Sequence, residues 1–481
     1  MSGIPVFSAG TSLQSSGAAV SAQIPADSAG MLPLFVRVTA TAAGYFRLSQ
    51  DGASAAVGDL LVQPSDGLIL KTCGLSQFSF VSQSGASVVT VTPIDVGGTK
   101  YPTNIFTPAA LFTTGVNGAW YDPSDVSTLF QNAAGAIPVT AVGQPVGLML
   151  DKSKGLVLGP ELVTNGDFTS SANWTTGSGW MISGGKLTAT SVAFGVETKQ
   201  TIASLVSGSR YVVTFDVVVT SGSLKVNLGD LGVSSTELLI TASGTYTYRP
   251  TQSGTAQIAF WAASTFTGTI DNVSVKLVPG NHAYNPSGNS ANFPVLQQDG
   301  TGRYYLAFNG VNQWLQTNSI DFTYGDKLFV SAGVRKLSDA LDGFVAELSS
   351  DANTNGRAFW LTAPAFAGAN FGFFSKGVLG SYSGQAVGSG YTAPTTRVLG
   401  GIGDISGDQA ILRVNGSQVA SSTADQGTGN FGNYPLYIGA RAGTSLWFNG
   451  RLYGLVVAGK QASASEIAST ESWLNQKTGA Y

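Results

Sequence analysis

The side chains that could act as nucleophiles, bases or soft metal ligands are few in this sequence. Its 481 residues include one histidine, His282, and one cysteine, Cys73. Nucleophilic catalysis by a Ser–His or Cys–His pair would have to use His282, which stands in a polar Gly-Asn-His stretch. One histidine and one cysteine also fall short of the closed set of nitrogen and sulfur ligands that zinc requires. We therefore interpret His282 as a structural turn residue.

Carboxylates are the next candidates, because a glycosidase needs two of them facing each other across a cleft. The last third of the chain provides several acidic residues, namely Asp326, Asp342, Glu347, Asp404 and Asp408. They form no paired motif along a strand. Glu347 alternates with Val345 on a predicted strand, which predicts a solvent-facing side chain. The sequence therefore predicts no catalytic residues and no enzyme activity.

Aromatic side chains offer a different chemistry. A flat ring can stack on the apolar C–H face of a sugar, while nearby amides and carboxylates bind its hydroxyl groups. Between residues 156 and 279 the candidates for carbohydrate binding are Trp174, Trp180, Tyr246, Tyr248 and Trp261. Trp174 and Trp180 have an equally good alternative role as core residues. Later in the chain, we interpret Trp314, Trp360 and Trp447 as core residues and Phe371 to Phe374 as an exposed loop tip.

The overall composition argues against several classes of partner. Charged residues make up only 11% of the chain and there are 62 glycines, which favours short strands joined by tight turns. With a net charge of −3 and no Lys/Arg cluster, no nucleic-acid partner is expected. No apolar run approaches the ~18 residues of a membrane span, and the first residues do not form a secretory signal. The single cysteine excludes an intrachain disulfide.

Residues 1–97 read as an N-terminal arm, at 1–30, followed by a small β-sandwich. Short β-branched and aromatic runs recur about every ten residues, separated by Gly, Asp, Ser and Pro, which is typical of a sandwich or small barrel. The order VRV, YFRL, GDLLV and VVTVTP resembles small β-domains at the start of phage structural proteins. That resemblance implies attachment to a virus particle and contact with other virion proteins.

Residues 156–279 look like a separate module inserted into a surface turn. The segment contains about eight predicted strands, and its opening ELVTNGDF, central YVVTFDV and closing TIDNVSV resemble carbohydrate-binding modules of the CBM4/9/22 type. The resemblance implies a jelly-roll fold and a carbohydrate ligand. It also implies a structural calcium ion, for which Asn165, Asp167 and Asp271 are the candidate ligands. The alternative is that Asn165-Gly166-Asp167 is only a tight turn.

Residues 98–155 are predicted to be a linker and the first part of a domain that resumes at 280–481. The motifs LRVNG, LYIGAR and FNGRLYGLVV resemble a laminin-G or concanavalin-like sandwich. Ser463 followed by Glu466 predicts a capping box, Ile467 and Leu474 follow at helical spacing, and Gly479 predicts the end of the helix. YLAFNGVNQWL together with SASEIASTESWLN resembles domains of phage tail and appendage proteins.

The sequence thus predicts an all-β, multi-domain protein built of β-sandwiches, with one short C-terminal helix. The resemblances imply a tailed-phage virion protein, assembled in the host cytoplasm and exposed on the virion surface. The favoured function is a tail fibre or appendage that binds host-surface glycans without catalysis. A capsid decoration or head-fibre protein is the alternative, and a polysaccharide-degrading enzyme is disfavoured. A homotrimer is expected by analogy with such proteins. No cofactor is required, and the structural calcium ion is only what the resemblance implies.

Overall fold

The computed structural model describes residues 10–26, 31–33, 35–50, 52–64, 67–94, 101–102, 106–230, 237–351, 356–378 and 384–481. The chain divides into two compact units, Met1–Thr107 and Pro108–Tyr481. Antiparallel strands dominate both units, and the described residues contain one α-helix, at the C-terminus. The predicted all-β, multi-domain fold with a C-terminal helix is confirmed. No helix in these ranges is both long and apolar enough to cross a membrane.

The first unit is a sandwich of two antiparallel sheets, each of four strands within the described ranges. One sheet contains, in spatial order, Thr11–Ser15, Ser87–Ile94, Phe35–Ala40 and Leu68–Lys71. The other contains Val20–Gln23, Gln77–Ser82, Gly44–Ser49 and Leu60–Val62. A short pair joins Met31–Leu32 to Tyr101–Pro102.

The two sheets share one core, and alternate residues of Ser87–Ile94 enter it. The interpretation of residues 1–30 as an arm is corrected in part. Thr11–Ser15 and Val20–Gln23 are strands that pair with the sheets. Residues 1–9 and 27–30 of the predicted arm lie outside the described residues.

The second unit contains a large sandwich of two sheets, counted over the described residues. Its eight-stranded sheet comprises Val295–Gln298, Tyr304–Asn309, Asn449–Ala458, Lys327–Lys336, Thr395–Asp404, Gln409–Val414 and Ser417–Ser422, with Gly118–Tyr121 paired to Asn449–Ala458. Its nine-stranded sheet comprises Leu129–Phe130, Leu148–Met149, Ala283–Tyr284, Leu315–Asp321, Asn433–Ile438, Phe344–Leu348, Ala358–Thr362, Asn370–Lys376 and Gln385–Ser389. Side chains from both sheets share one core.

Residues 161–278 of the second unit form a small sandwich with its own core. Over its described residues, one five-stranded sheet contains Thr175–Thr176, Glu197–Thr201, Gln257–Ala262, Leu224–Leu228 and Leu238–Ile240. The other contains Trp180–Ser183, Lys186–Val192, Phe266–Val278, Arg210–Ser221 and Gly244–Tyr248. The chain crosses repeatedly between the two sheets, as it does in a jelly roll.

The two ends of this segment lie side by side. The Gly159 N–H donates to the Leu277 carbonyl at 2.9 Å, and the Asn281 N–H donates to Asp151 Oδ2 at 2.7 Å. The expected proximity of the ends of an insertion is therefore present. The finer division at residues 97, 155 and 279 stays a prediction.

Three short 3₁₀ turns, Pro108–Leu111, Val126–Thr128 and Ser290–Asn292, and the helix Ala464–Thr478 complete the second unit as described. The predicted capping box is confirmed: Ser463 Oγ accepts from the Glu466 N–H at 3.3 Å, and Glu466 Oε2 accepts from the Ser463 N–H at 2.8 Å. Gly479 ends the helix in the left-handed region, with φ of 60°.

Candidate functional site

Three of the predicted sugar-binding rings are core residues of the small sandwich. Trp174 packs on Phe168 and Phe260, with ring centroids 5.0 and 6.3 Å away. Trp180 packs on Phe266 at 5.9 Å, and Tyr248 is fully buried. Because their faces are covered by other side chains, none of these rings is open to a ligand. The alternative core role considered for Trp174 and Trp180 is the one that the structure favours.

The other two predicted rings lie closer to solvent. Tyr246 is half-buried and stacks on Phe215 with an interplanar angle of 13°. Trp261 lies on the face of its sheet that points away from the core, but it is only 9% exposed. Lys225 Nζ sits 4.9 Å above the Trp261 ring, and Phe194 meets its edge. A sugar could reach Trp261 only after Lys225 moves.

The predicted calcium ligands belong to a turn that closes through its own hydrogen bonds. Asn165 has a φ of 57°; its Oδ1 accepts from the Ser170 N–H and the Thr169 hydroxyl, and this hydroxyl also contacts Asp167 Oδ1. Asp271 Oδ1 accepts from the N–H of the next residue. The described residues hold no group of three or more His, Cys, Asp or Glu side chains placed for a metal, and these three residues alone fall short of the six to eight oxygens of calcium. Calcium here stays a prediction.

His282 has the structural role that the sequence suggested. Its Nδ1 accepts from the Asp151 N–H at 2.9 Å and its Nε2 lies 3.2 Å from the Val278 carbonyl. Burial, helped by the positive charge of Arg210, lowers the pKa of His282 to about 3. The ring is therefore neutral at physiological pH and joins the chain segments on either side of the small sandwich.

A pocket that sequence reasoning missed lies on the outer face of the nine-stranded sheet. Along Ala358–Thr362, Phe359 and Leu361 enter the main core while Trp360 and Thr362 point to the opposite face. Neighbouring strands contribute Phe344 and Phe374 to the same face. These residues form the floor of a cavity of about 200 Å³, which we call the aromatic pocket.

The floor rings of the aromatic pocket are nearly parallel. Trp360 stacks on Phe374 with ring centroids 5.3 Å apart and an interplanar angle of 12°, and on Phe344 at 6.5 Å and 18°. Phe366 stands at the rim, 58% exposed, with its ring perpendicular to Phe374 at 5.7 Å. The rings of Phe344, Trp360 and Phe374 stack on one another and are only 4–5% exposed, so they fill the floor of the pocket, and Phe366 is its exposed aromatic wall.

Polar groups surround this apolar floor. Asp342, Thr362, Gln385 and Arg441 line the pocket. Asp342 Oδ1 accepts from the Ala367 N–H at 2.6 Å, which fixes the loop that carries Phe366. The Arg441 guanidinium lies 5.6 Å from the Phe344 ring centroid. Donors and acceptors are thus placed around a cavity with an apolar floor and the exposed ring of Phe366.

Glu347 lies beneath Arg441 and corrects the expectation of a solvent-facing side chain. It is fully buried, because the loop at 439–447 covers this face of the sheet. Its Oε2 accepts from the Ala442 N–H at 2.7 Å, and its Oε1 lies 3.9 Å from Arg441 Nε. Burial raises the pKa of Glu347 to about 7, although the Ala442 N–H and the Arg441 charge oppose the rise.

Two further expectations about this region are corrected or refined. Phe371 to Phe374 are part of the strand Asn370–Lys376 and do not form a loop tip. Trp360 is buried as expected, but on the outer face of the sheet and outside the main core. The available signal for the pocket was the alternation of aromatic and aliphatic residues along the strand. A strand that is buried on both faces reads as a continuous hydrophobic run, which hides this alternation.

Comparisons with known proteins give partial structural similarities. No family model matches the sequence, and a search of curated proteins finds no match. A carbohydrate-binding module of a Ruminococcus gnavus sialidase, solved with α2,3-sialyllactose, has 16% sequence identity and a TM-score of 0.26 over 31% of this chain and 83% of its own. The receptor-binding domain of botulinum neurotoxin type G has 11% identity and a TM-score of 0.28 over 38% of this chain and 47% of its own. A Streptococcus pneumoniae sialidase has 17% identity and a TM-score of 0.25 over 34% and 27%.

Proposed function

We propose that this protein binds glycans without cleaving them, and that the aromatic pocket is a binding site. The observation that carries the proposal is the exposed ring of Phe366 beside a cavity that has an aromatic floor and a border of polar side chains. A pyranose has the complementary surface, with an apolar C–H face and a rim of hydroxyl groups.

The volume of the cavity limits the size of the ligand that can bind. A volume of about 200 Å³ is below the range of roughly 300–1,000 Å³ typical of small-molecule sites. The pocket therefore suits one sugar ring, such as the terminal residue of a longer glycan. Such a contact is weak by itself, and copies on one particle would strengthen it through effective concentration.

The position of Glu347 supports a binding role. It is the carboxyl near the pocket whose pKa is raised towards neutrality, as a general acid would require. Its side chain is fully buried and does not line the cavity, so it has no direct access to a bound sugar. Its geometry suits a counter-ion that orients Arg441. An assay for reducing ends released from polysaccharide tests this point, and their release by the wild-type chain would contradict a purely binding function.

Phe366→Ala tests the binding site itself. The ring is mostly exposed, so its removal should leave the fold intact while the pocket loses one wall. We expect the affinity for a binding monosaccharide to fall about two- to tenfold, as one aromatic contact is worth roughly 0.5–1.5 kcal/mol. Ligand-observed NMR with a panel of monosaccharides measures the change, and fluorescence of Trp360 reports on the same site.

Phe194→Ala is the matched control, since Phe194 is also a mostly exposed phenylalanine but belongs to the small sandwich. It should leave binding at the aromatic pocket unchanged. If no monosaccharide binds saturably at millimolar concentration, or if both variants lose affinity equally, the aromatic pocket is not a sugar site.

The biological setting that we propose is the surface of a tailed-phage virion, as a tail fibre or appendage. The support is the sequence resemblance of the N-terminal unit and of residues 304–481 to phage structural proteins. In this proposal the first unit contacts other virion proteins and the assembly is a homotrimer. Immuno-electron microscopy of particles distinguishes a tail position from the alternative of a capsid decoration or head fibre. If neither the tail nor the capsid is labelled, both proposals are wrong.

A structural calcium ion in the turn at Asn165 is a separate part of this proposal. Thermal unfolding with and without a chelator tests it. A lower unfolding midpoint after chelation, restored by calcium and absent in Asp167→Asn, supports the ion. An unchanged midpoint shows that the hydrogen bonds of the turn are sufficient.

A further inference from the structure

A second cavity lies where the small sandwich meets the large one. It has a volume of about 460 Å³ and is lined by residues 207–210 of the small sandwich, 280–282 at the junction and 318–319 of the large sandwich. We call it the seam pocket. Its lining is made of serines, asparagines, glycines, one arginine and one histidine, with no acidic side chain.

Arg210 lies on a wall that the seam pocket shares with an adjacent cavity, which is also lined by Ala133, Glu237 and Tyr284. Its side chain belongs to a residue that is only 5% exposed, and its Nη1 donates to the carbonyls of Ala133, at 2.8 Å, and Arg249. The guanidinium also lies 5.3 Å from the Tyr284 ring centroid. Both hydrogen bonds come from one nitrogen, and Nε and Nη2 bond to no described residue.

A second cation, Arg249, lies close to Arg210. Within the described part of the chain, neither Arg210 nor Arg249 has a carboxylate within salt-bridge distance. Burial and the charge of Arg249 lower the pKa of Arg210 to about 10, and burial together with both arginines lowers the pKa of His282. A guanidinium in this position remains charged at physiological pH.

The nearest acidic side chains are already engaged. Asp151, next to Gly280, accepts from the Trp120, Ser153 and Asn281 N–H groups and from the Ser153 hydroxyl. Glu237, in an adjacent cavity, pairs with Lys225 at 2.8 Å. A buried cation without a paired carboxylate is costly, and an anionic ligand would offset that cost.

Hydroxyl groups complete the site. Ser207, Ser209 and Ser319 line the seam pocket, and their hydroxyls make no hydrogen bond to other described residues. Three such hydroxyls can donate to or accept from the hydroxyl groups of a ligand. The pocket therefore combines one cation with a neutral polar wall, in a volume that admits a single sugar.

We propose that the seam pocket binds an acidic monosaccharide unit, with its carboxylate paired to Arg210 and its hydroxyl groups bound by the serines. The inference rests on the proposed glycan-binding function but concerns a different site from the aromatic pocket. It assigns a charged sugar class to the junction of the two sandwiches.

The test compares glucuronate with glucose, which differ by the carboxylate, by calorimetric or NMR titration of the full chain. We expect glucuronate to bind at least tenfold more tightly than glucose at this site. The affinity for glucuronate should decrease as salt is added. Acetate is the second probe. If acetate binds as well as glucuronate, the pocket recognises a carboxylate alone and the sugar part of the proposal is wrong.

Ser207→Trp places a large ring at the mouth of the pocket without changing Arg210, and should reduce glucuronate affinity at least tenfold. Ser204→Trp, on the same exposed loop but outside the lining, is the matched control and should have no effect. Arg210→Lys keeps the charge but loses the planar fork, so it should also weaken binding. Thermal midpoints of all three variants establish that they are folded.

Glucuronate affinity that is no higher than that of glucose, or that survives Ser207→Trp, overturns this proposal. The variant Phe366→Ala distinguishes failure of the seam-pocket proposal from failure of the proposed function at the aromatic pocket. That variant should leave glucuronate binding at the seam pocket unchanged while weakening sugars at the aromatic pocket, so either site can fail without the other.

Discussion

A buried glutamate lies directly beneath the aromatic pocket and links its structure to pH. The folded-state pKa of Glu347 is about 7, compared with an ordinary value of 4.5. Between these two values the folded protein binds more protons at this site than the unfolded chain does. The contribution of Glu347 to the free energy of unfolding is therefore fully present below about pH 4.5 and is lost as the pH rises through 7.

Replacing Glu347 with glutamine removes this dependence. The glutamine side chain would keep an oxygen that accepts from the Ala442 N–H, without the charge that burial disfavours. We expect Glu347→Gln to gain stability relative to wild type as the pH rises from 4.5 to 8, by roughly 3 kcal/mol at most. Urea unfolding across this pH range measures the difference.

Glu197→Gln is the control for that experiment, because Glu197 is a partly exposed residue that pairs with Lys199 in the small sandwich. Its stability difference from wild type should change little over the same range. A Glu347→Gln curve parallel to wild type would mean that the glutamate is not destabilised by burial, and that Arg441 compensates its charge fully.

Single residues differ in how far the sequence predicts them. Ser463, Glu466 and Gly479 were recognisable because a helix cap depends on a few neighbouring residues. Trp360 was not recognisable as a pocket residue, since its exposure depends on loops that are distant in sequence. The same limit applies to Arg210, whose lack of a carboxylate partner among the described residues becomes visible only after the two sandwiches pack.

At the level of elements, the C-terminal helix packs closely on the outer face of the eight-stranded sheet. Gly333 faces the helix, and a Cβ at this position would lie 2.6 Å from Thr478 Cγ2 and 3.5 Å from Leu474 Cδ2. Arg413 adds a bidentate ion pair to the buried Glu471 of the helix. Close contact between helix and sheet therefore depends on a small residue in the strand.

Gly333→Ala tests this packing. The added methyl group must displace the last turn of the helix, and we expect a loss of about 1–3 kcal/mol in the free energy of unfolding. Chemical denaturation followed by circular dichroism measures it. Gly325→Ala is the matched control, because its Cβ would meet no atom closer than 3.8 Å. Equal stability of the two variants would show that the helix adjusts without cost.

The strands could be predicted from the sequence, but the loops that lie over the outer faces of the sheets could not. The short β-branched and aromatic runs separated by turn residues identified most strands, because that pattern is local. The loops that close the aromatic pocket carry no periodic signal, and one of them places Phe366 and Ala367 in the left-handed region. Such loops take their conformation from long-range contacts, for example the hydrogen bond from the Ala367 N–H to Asp342.

On the scale of the whole second unit, both hydrogen bonds and apolar contacts join the small sandwich to the large one, and Ala136 packs on the core of the small sandwich. The Arg249 side chain donates to the Gly135 carbonyl at 2.9 Å, and the Arg249 backbone N–H donates to the Ala134 carbonyl at 2.6 Å. The Arg210 side chain donates to the Ala133 carbonyl. Each sandwich has its own hydrophobic core. Separate hydrophobic cores are what two independently stable domains require.

Excising the small sandwich tests whether it is an insertion. Gly159 and Leu277 are paired, so neighbouring strands about 4.8 Å apart can be joined by a Gly-Ser linker of about four residues in place of 160–276. We expect the shortened second unit to fold with a cooperative transition, because the core of the large sandwich contains no residue from the excised segment. Heteronuclear NMR spectra of the shortened and full chains measure whether the remaining resonances keep their positions.

Residues 159–279 expressed alone are the complementary sample and should also fold, as their core is drawn from 163–275. Chemical-shift changes in the shortened chain should be confined to residues near 130, 133–136, 281–284 and 318, which contact the small sandwich. Collapse of both pieces would show that the two cores depend on each other. In that case the seam pocket would be part of one domain, and the sequence-based division at residues 155 and 279 would be wrong.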